Sequence, residues 1–410
     1  MAHNTNDKKV FMVVNTYAVD DPRVIFSATS LAKLGYSVKL IGSARQRDGA
    51  LVDSYQHQGG VDIQIVPHIH TLQVLFQTFW AWLRGKMQAQ VKTSQAQTNL
   101  LSFVWFNLWV LRIGLTHPMA VIHCHDLSPL PACWFIAKVR RKKLIYDIHE
   151  DVPTMYTGRK QSLMTALEKW LVKRTDVVIS AGHRLADAML VRGAQRVEHI
   201  GNWKPLEDYA IPQSQLVALR SEYHIPDGAL VISFLGTLDA DRMLTPLLDA
   251  VASLPDVYLM IAGRGEERQR VINYAEKHDN IIWLNWIDID DLPAYTLVAD
   301  VMYYCRTEQM QGGSYALAPA PNKLYEAFAA GIPLIARRGV GEIGEILEEI
   351  PAGILLDDVN AASVKEALQL LRDPAIYAEK RQASELARDS YNWGRAEDLL
   401  SQTYQALFTE

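Results

Sequence analysis

Cysteine is scarce in this sequence, with three residues among 410. Cys124, Cys133 and Cys305 are widely separated and odd in number, so they cannot form a complete set of disulfides. Their spacing matches no cysteine-based metal site. We therefore expect a protein of a reducing compartment, the cytoplasm.

A long apolar run is also missing. The longest apolar stretch, residues 100–111, is interrupted by Ser102 and Asn107 and followed by Arg112. A helix that crosses a bilayer needs about 20 apolar residues, so this stretch is too short. The N-terminal residues are polar and lead directly into an apolar strand, which is not the pattern of a signal peptide. We expect neither a transmembrane helix nor a signal peptide.

Excess positive charge is absent, because the net charge is −5. No global field attracts a phosphate backbone, so we expect no nucleic-acid partner. The glycine signature of dinucleotide-binding oxidoreductases is missing as well: Val14 is followed by Asn-Thr-Tyr and Leu235 by Gly-Thr-Leu. An oxidoreductase is therefore a poor fit.

Short β-branched runs alternate with longer helical patterns along the whole chain, which is typical of parallel sheets with crossover helices. The length of 410 residues suits two domains. The strand candidates are residues 10–14, 38–41, 63–66, 120–123, 144–146, 177–179 and 197–200, then 230–235, 258–262, 281–284, 301–304, 334–336 and 353–356. These patterns predict an α/β fold of two Rossmann-like, doubly wound parallel-sheet domains.

A polar, proline-containing stretch at residues 202–226 separates the two series of strands and is predicted to be the interdomain linker. We place an N-terminal domain at residues 1–205, a C-terminal domain at 206–388 and a last helix at 389–410. Two such domains leave a cleft between the carboxyl ends of their sheets, where doubly wound folds bind ligands.

The most informative segment reads Pro-Asn-Lys-Leu-Tyr-Glu at residues 321–326, after a loop that contains Gly312 and Gly313. A helix is predicted to begin near Asn322, and its free amide groups and positive dipole suit a pyrophosphate. Lys323 adds a charge, and Glu326 can accept hydrogen bonds from ribose hydroxyls. The alternative is a capped surface helix with Lys323 and Glu326 in water.

The second domain opens with a strand-to-helix turn at residues 234–243. Gly236 lets the backbone approach a ligand, and Arg242, near the helix start, can hold a phosphate. The alternative is an ordinary turn with a solvated arginine.

Two polar clusters end successive strands of the first domain, Ile-His-Cys-His-Asp at residues 122–126 and Tyr-Asp-Ile-His-Glu-Asp at 146–151. Histidine and carboxylate groups at this edge can bind sugar hydroxyls or stabilise charge at an anomeric carbon. A metal site at His123, His125, Asp126 and His149 is the competing interpretation. It is disfavoured because no further ligand pair has tight spacing and no cysteine joins them.

Several segments occur in an order that carries more information than any one of them. They are Asp-Pro-Arg-Val at 21–24, His-Cys-His-Asp at 123–126, Asp-Ile-His-Glu at 147–150, Phe-Leu-Gly-Thr-Leu-Asp at 234–239, Ala-Gly-Arg-Gly at 262–265 and Pro-Asn-Lys-Leu-Tyr-Glu at 321–326. Together they resemble glycosyltransferase family 4 over nearly the whole chain. Tyr-Asn-Trp at 391–393 and the helix after it resemble the family's C-terminal segment, which crosses back onto the first domain.

This resemblance implies the GT-B fold and a retaining, metal-independent transfer of a hexose from a nucleotide-diphosphate sugar, a UDP- or GDP-sugar, without a cofactor. It implies front-face attack, in which the leaving diphosphate helps to deprotonate the acceptor. It also implies roles for individual residues. His149 and Glu326 would be catalytic; the donor site would comprise Gly236, Thr237, Arg242, Arg264, Gly312, Gly313, Asn322, Lys323, Leu324 and Glu326; the acceptor side would comprise Asp21, Arg23, His125, Asp126 and Glu150.

Three positions depart from the family pattern. A glutamate expected eight positions before Glu326 is Ala318, with Glu308 and the 312–315 loop as candidate replacements. The usual Gly-Arg of the pyrophosphate loop is Gly236 followed by Thr237, so one positive charge is absent. The usual Lys-Gly is Arg242 followed by Met243. Arginine can still pair with phosphate, so we expect activity.

A surface that faces a membrane is predicted from residues 72–90 and 138–143. Phe76, Phe79 and Leu83 share one helical face, as in helices that lie in a bilayer interface, and residues 138–143 hold five positive charges. Peripheral contact with the anionic inner face of the plasma membrane would suit a lipid-linked glycan acceptor of cell-surface polysaccharide assembly. The alternative is a solvated basic helix end, and we interpret residues 100–115 as a crossover helix packed on the sheet.

Two other functions fit the same fold. A nucleotide-sugar 2-epimerase would use the same donor cleft without an acceptor, and a non-catalytic nucleotide- or sugar-binding scaffold would have lost turnover with the first glutamate. Incubation of the protein with UDP-sugars, without acceptor, distinguishes the epimerase by its product.

Overall fold

The computed structural model describes residues 8–18, 21–44, 55–66, 95–310, 313–314 and 317–409, and at 55–58, 95–100, 309–310 and 313–314 it describes the backbone alone. The described chain forms two parallel sheets with apolar cores on their faces. Alternate residues of the first strand enter different cores, with Val10 and Met12 in one and Phe11 and Val13 in the other. The sheet is therefore covered on both faces, as its continuous apolar strands predict.

The first domain carries an eight-stranded sheet in the order β3-β4-β2-β1-β5-β6-β7-β8, in which only β3 is antiparallel to its neighbour. Its strands are β1 (Lys9–Val13), β2 (Ser37–Ser43), β3 (Tyr55–Gln58), β4 (Val61–Val66), β5 (Val121–His125), β6 (Lys143–Ile148), β7 (Val177–Ser180) and β8 (Val197–His199). Its helices are α1 (Pro22–Lys33), α2 (Gln95–Gly114), α3 (Leu130–Arg140), α4 (Gly158–Val172) and α5 (His183–Arg192).

The second domain carries a six-stranded, all-parallel sheet in the order β11-β10-β9-β12-β15-β16, and β13 and β14 pair as a short hairpin. Its strands are β9 (Leu230–Leu235), β10 (Val257–Ala262), β11 (Ile281–Trp283), β12 (Val301–Tyr304), β13 (Gln309–Met310), β14 (Gly313–Ser314), β15 (Leu334–Arg337) and β16 (Gly353–Leu356). Its helices are α6 (Gln213–Glu222), α7 (Leu244–Ala252), α8 (Arg268–Ala275), α9 (Leu292–Val298), α10 (Asn322–Ala330), α11 (Ile343–Glu349), α12 (Ala361–Leu370) and α13 (Pro374–Ser390).

The predicted fold class, two doubly wound parallel-sheet domains, is confirmed. Every predicted strand is present, with ends that differ by a few residues. The edge strand β3 and the hairpin β13–β14 were not predicted, because neither carries a long β-branched run. The stretch predicted as a linker contains a 3-10 turn at Leu206–Tyr209 and helix α6.

The last helix, α14 (Trp393–Thr409), packs against α1 of the first domain. The Trp393 indole Nε1 donates a hydrogen bond to Ser30 Oγ at 2.9 Å, and Ser30 Oγ donates to Glu397 at 2.7 Å. A buried apolar cluster continues from one domain into the other and includes Trp203, Tyr325 and Trp393. The junction between the domains is therefore packed with apolar side chains.

Helix α2 covers the first sheet, as the crossover interpretation of residues 100–115 predicts. Phe106 and Val110 are buried in the same core as Phe11 of β1. The opposite side of α2 leaves Val104 and Leu108 44% and 55% exposed. Within the described part of the chain, no helix combines the length and the apolar content needed to cross a bilayer.

Candidate functional site

A cavity of about 540 Å³ lies where the carboxyl ends of β1, β6, β9 and β12 face one another across the domain junction. Nine of the residues singled out in the sequence line it: Asp21, Arg23, His149, Glu150, Gly236, Thr237, Arg242, Asn322 and Lys323. Lys204 and Arg306 line it as well, and sequence reasoning missed both. The two sheets therefore bring most of the predicted residues to one place.

The other predicted residues lie outside this lining. Leu324 and Glu326 are on the buried side of α10, and His125 and Asp126 lie behind His149. The Arg264 guanidinium stacks on the Trp286 ring at 4.2 Å. Gly313 is in β14, and Gly312 is outside the described residues.

The start of α10 faces the cavity with Asn322 and Lys323. Its N-cap residue is Pro321, and no side chain caps the first turn. The helix continues for nine residues to Gly331, whose left-handed conformation (φ 66°) ends it. Uncapped amide groups at the positive end of a helix dipole are suited to bind an anion.

Glu326, one turn into α10, is 3% exposed, and its Oε2 accepts a hydrogen bond from Lys323 Nζ at 2.6 Å. Lys204 Nζ lies 3.8 Å from the other oxygen. Burial alone would raise the pKa of Glu326, but Lys323 and Lys204 outweigh it and hold this pKa below its ordinary value. Glu326 is thus a buried, charged acceptor, and the alternative in which Lys323 and Glu326 lie in water is wrong.

Lys204 comes from the segment that joins the two domains. Its Nζ donates a hydrogen bond to Asn322 Oδ1 at 2.9 Å, and its carbonyl accepts one from the Trp393 amide. Burial lowers the pKa of Lys204, and the Glu326 carboxylate opposes that shift. A single lysine in a polar linker has no pattern that marks it in the sequence, so only the folded chain identifies it.

The turn after β9 places Thr237 and Arg242 on the same wall. Arg242 Nη2 donates to Thr237 Oγ1 at 2.9 Å, and its Nη1 lies 3.3 Å from the Tyr304 hydroxyl. Gly263 makes this arrangement possible, because a Cβ there would lie 1.7 Å from the Gly236 carbonyl oxygen. The first glycine of the 262–265 motif therefore serves the close approach of two loops beneath the site.

On the opposite wall, His149 is held from both sides. Its backbone amide donates to Asp126 Oδ1 at 3.1 Å, and its Nε2 lies 3.0 Å from Nδ1 of the fully buried His125. Asp126 adopts a left-handed backbone conformation (φ 63°), which non-glycine residues rarely adopt outside turns and functional sites. The structure therefore places His125 and Asp126 as supports of His149 rather than in the cavity wall.

Behind His149, Asp147 and Arg23 form a buried ion pair with exposures of 1% and 6%. Arg23 Nη2 and Nε donate to Asp147 Oδ1 at 2.8 and 3.3 Å, and its Nη1 donates to the carbonyls of Ile200 and Gly201. Burial would raise the pKa of Asp147, but Arg23 and His123 hold it well below its ordinary value. This pair ties the start of α1 to the chain that leaves the first sheet.

Among the described residues, His123, His125 and Asp147 lie close enough to share a metal ion. The Arg23 guanidinium already neutralises Asp147, and its positive charge opposes a second cation at that carboxylate. His125 also directs Nδ1 at His149. The donor set is therefore a poor fit to a divalent ion, and the absence of a resident metal stays a prediction.

Ala318, where the resemblance leads us to expect a glutamate, lines the cavity. The candidate replacement Glu308 is not in the lining; its side chain is 66% exposed and its carboxylate pairs with Arg337 at 2.8 Å. The other candidate, the 312–315 loop, is only partly within the described residues.

Comparison with known proteins identifies the family. A family model described as "Glycosyl transferase 4-like domain" matches residues 27–203, and one described as "Glycosyl transferases group 1" matches residues 218–389. The chain belongs to glycosyltransferase family 4. The 4-like domain model covers the cavity wall that carries His149, and the group 1 model covers the cavity wall that carries α10.

Two curated relatives show how far this chain has diverged in sequence from other glycosyltransferases. Phosphatidyl-myo-inositol mannosyltransferase of Mycobacterium leprae is 30% identical over 189 residues, which cover 43% of this chain and 47% of that protein. The putative colanic acid biosynthesis glycosyl transferase WcaI of Escherichia coli is 25% identical over 240 residues, covering 54% of this chain and 58% of that protein. The chain spans about half the length of the curated relatives it matches.

Solved structures share the whole architecture. Sucrose-phosphate synthase from Thermosynechococcus elongatus superposes with a TM-score of 0.73 at 17% identity, over 98% of this chain and 99% of that one. Anabaena HepE in complex with UDP gives 0.70 at 14% identity, over 97% and 100%. At these identities the likeness establishes the fold, which confirms the expected GT-B arrangement of two Rossmann-like domains.

Proposed function

We propose that this family 4 protein is a retaining, metal-independent glycosyltransferase that moves a hexose from a nucleotide-diphosphate sugar to an acceptor. The observation that carries the proposal is the composition of one cavity wall, where the uncapped start of α10 lies beside Lys204, Lys323, Arg242 and Arg306. A diphosphate is the anion that such a wall fits. Anabaena HepE, which shares the fold, is solved with UDP-glucose, which supports a UDP-sugar as donor.

The proposed reaction takes place where the two walls meet. The bond between the anomeric carbon and the β-phosphate oxygen breaks as the acceptor oxygen attacks the same face, and the leaving phosphate takes the acceptor proton. The cationic wall stabilises the charge that develops on the diphosphate, and His149 lies beside the donor sugar. Glu326 lies outside the cavity lining, one turn into α10, and we propose that the ribose hydroxyls reach its carboxylate beside Lys323 and Lys204. Asp21 and Glu150, on the first-domain wall, contact the acceptor.

Nucleotide binding and turnover test this proposal. We expect one of UDP, GDP, ADP and dTDP to raise the unfolding temperature, because a ligand at a hundred times its dissociation constant stabilises a protein by about 2.7 kcal/mol. When the matching nucleotide sugar is incubated without acceptor, we expect slow release of the nucleoside diphosphate. The nucleotide sugar that remains is expected to keep the configuration of its sugar. An epimerised nucleotide sugar would support the epimerase instead, and tight binding without any turnover, with or without glycan acceptors, would support a scaffold.

We further propose that the first domain docks on the anionic inner face of the plasma membrane and that the acceptor is a lipid-linked glycan of polysaccharide assembly. The predicted amphipathic segment 72–90 lies outside the described residues. Exposed apolar side chains on α2 and α3 support docking: Val104 and Leu108, with Phe135 and Val139 at 45% and 57% exposure. The basic run 138–143 includes Val139, and each basic residue near an anionic leaflet contributes about 1 kcal/mol.

Flotation with liposomes tests the docking surface. Val104→Glu plus Leu108→Glu is expected to reduce flotation with phosphatidylserine vesicles several-fold, because it places two carboxylates at an anionic interface. The matched control is Leu386→Glu, which changes a side chain with 64% exposure on α13 of the other domain. Equal flotation of the double variant, the control and the wild type would contradict docking through this face.

A further inference from the structure

Arg306 lies two residues beyond β12, the strand next to β9 in the second sheet, and its side chain lines the cavity. Its Nη1 lies 3.4 Å from the Tyr304 hydroxyl, which is the same hydroxyl that Arg242 Nη1 approaches to 3.3 Å. Two guanidinium groups from neighbouring strand ends therefore meet at one hydroxyl. Arg242 was predicted from the sequence, and Arg306 was not.

The turn after β9 has one positive charge fewer than the family pattern, so a second guanidinium on the same wall can make up the difference. Thr237 occupies the position of the usual arginine, and its hydroxyl serves as an acceptor for Arg242 Nη2. A leaving diphosphate gains negative charge as its bond to the sugar breaks, so a missing cation at this point weakens both binding and transfer.

We propose that Arg306 replaces the charge missing at Thr237 and binds the β-phosphate, the end of the diphosphate next to the transferred sugar. This inference rests on the proposed function, because it presumes a nucleotide-diphosphate donor in the cavity. Arg306 follows β12, whereas Thr237, whose position lacks the charge, follows β9. The phosphate-binding role therefore passes to a residue at the end of a neighbouring strand.

Asp241 orients Arg306. The Asp241 Oδ2 accepts from Arg306 Nε at 3.0 Å and from Nη2 at 2.5 Å, which fixes the plane of the guanidinium and leaves Nη1 directed to the Tyr304 side. A phosphate oxygen between Arg242 and Arg306 would take the place of part of this contact with Tyr304. Arginine suits such a shared position because its planar group can donate in two directions at once.

The charge of Arg306 also reaches the opposite wall. Burial and the nearby Asp126 raise the pKa of Glu150, and Arg306 opposes that rise from across the cleft. Both residues line the same cavity, Arg306 from the second-domain wall and Glu150 from the first-domain wall. This position fits the phosphate that carries the sugar rather than the one that carries the nucleoside.

Calorimetric binding of a nucleoside, its monophosphate and its diphosphate tests the role of Arg306, with the base chosen as whichever of UDP, GDP, ADP and dTDP binds the wild type tightest. Arg306→Leu is expected to weaken the diphosphate about ten- to hundredfold and to leave the nucleoside unchanged. Arg306→Lys is expected to recover part of the loss. Arg338→Leu is the matched control, because Arg338 is also ion-paired but is 44% exposed and outside the lining.

Loss of Arg306 alone would leave the Asp241 carboxylate unneutralised, and that carboxylate would repel phosphate. Asp241→Asn combined with Arg306→Leu removes this repulsion and so isolates the loss of the phosphate ligand. Weak diphosphate binding in this double variant supports the proposal, and a return to wild-type affinity overturns it. An equal loss for nucleoside and diphosphate in Arg306→Leu overturns it as well. If the wild type binds none of the four diphosphates, the proposed function fails and the role of Arg306 fails with it; if the wild type binds and Arg306→Leu binds equally well, only the role of Arg306 fails.

Discussion

Glu326→Ala is expected to weaken nucleoside diphosphate binding about a hundredfold and to abolish detectable transfer. Its carboxylate is buried and held by two lysines, and hydrogen bonds to a charged group are worth about 1.5–3 kcal/mol each. At a ligand concentration that stabilises the wild type by about 2.7 kcal/mol, a hundredfold weaker affinity leaves only about 0.4 kcal/mol. A thermal shift titration measures this difference directly.

The Glu326 experiment has an internal comparison and an external control. Glu326→Gln keeps an acceptor oxygen without the charge and is expected to fall between the alanine variant and the wild type. Glu366→Ala on α12 removes an exposed glutamate of the same domain and is expected to change nothing. An undiminished shift in Glu326→Ala, with the ligand-free unfolding temperature preserved, would place the nucleotide elsewhere.

Arg23→Leu is expected to destabilise the first domain by about 3–5 kcal/mol, because it leaves the buried Asp147 carboxylate without its cation. It also removes the hydrogen bonds to the Ile200 and Gly201 carbonyls. Denaturant titration measures the free energy of unfolding of the variant and the wild type. The double variant Arg23→Leu plus Asp147→Asn is expected to cost clearly less than the sum of the two single changes, since no unpaired charge remains.

A surface ion pair provides the control for Arg23. Arg196 and Glu198 pair at 2.8 Å but are 31% and 28% exposed, so Arg196→Leu is expected to cost no more than about 1 kcal/mol. Similar costs for Arg23→Leu and Arg196→Leu, or strict additivity in the double variant, would show that the buried pair does not anchor the first domain.

The sequence predicted both sheets and helix α10 because the patterns that specify them are local. A strand buried on both faces appears as a continuous apolar run, and α10 appears as a proline, a polar turn and a glycine stop at the right spacing. The carboxyl ends of parallel strands meet at one sheet edge whatever the connecting helices contain. His149, Arg242 and Lys323 could therefore be placed together before the fold was known.

The residues that sequence reasoning missed reach the site through tertiary packing. Lys204 sits in a polar linker, and Arg306 follows a strand with no motif around it. Their positions depend on how the linker crosses α10 and on the order β9-β12 in the sheet, neither of which a local pattern encodes. The same is true of the buried support behind His149, where the Tyr404 hydroxyl of α14 contacts His123 Nδ1 at 2.8 Å.

A crystal structure with a bound nucleoside diphosphate would show directly where the diphosphate lies. We expect phosphate oxygens within hydrogen-bonding distance of the first amides of α10, at Asn322 and Lys323, with Arg242 on their other side. A diphosphate bound in any other part of the molecule, with the start of α10 facing only water, would contradict it.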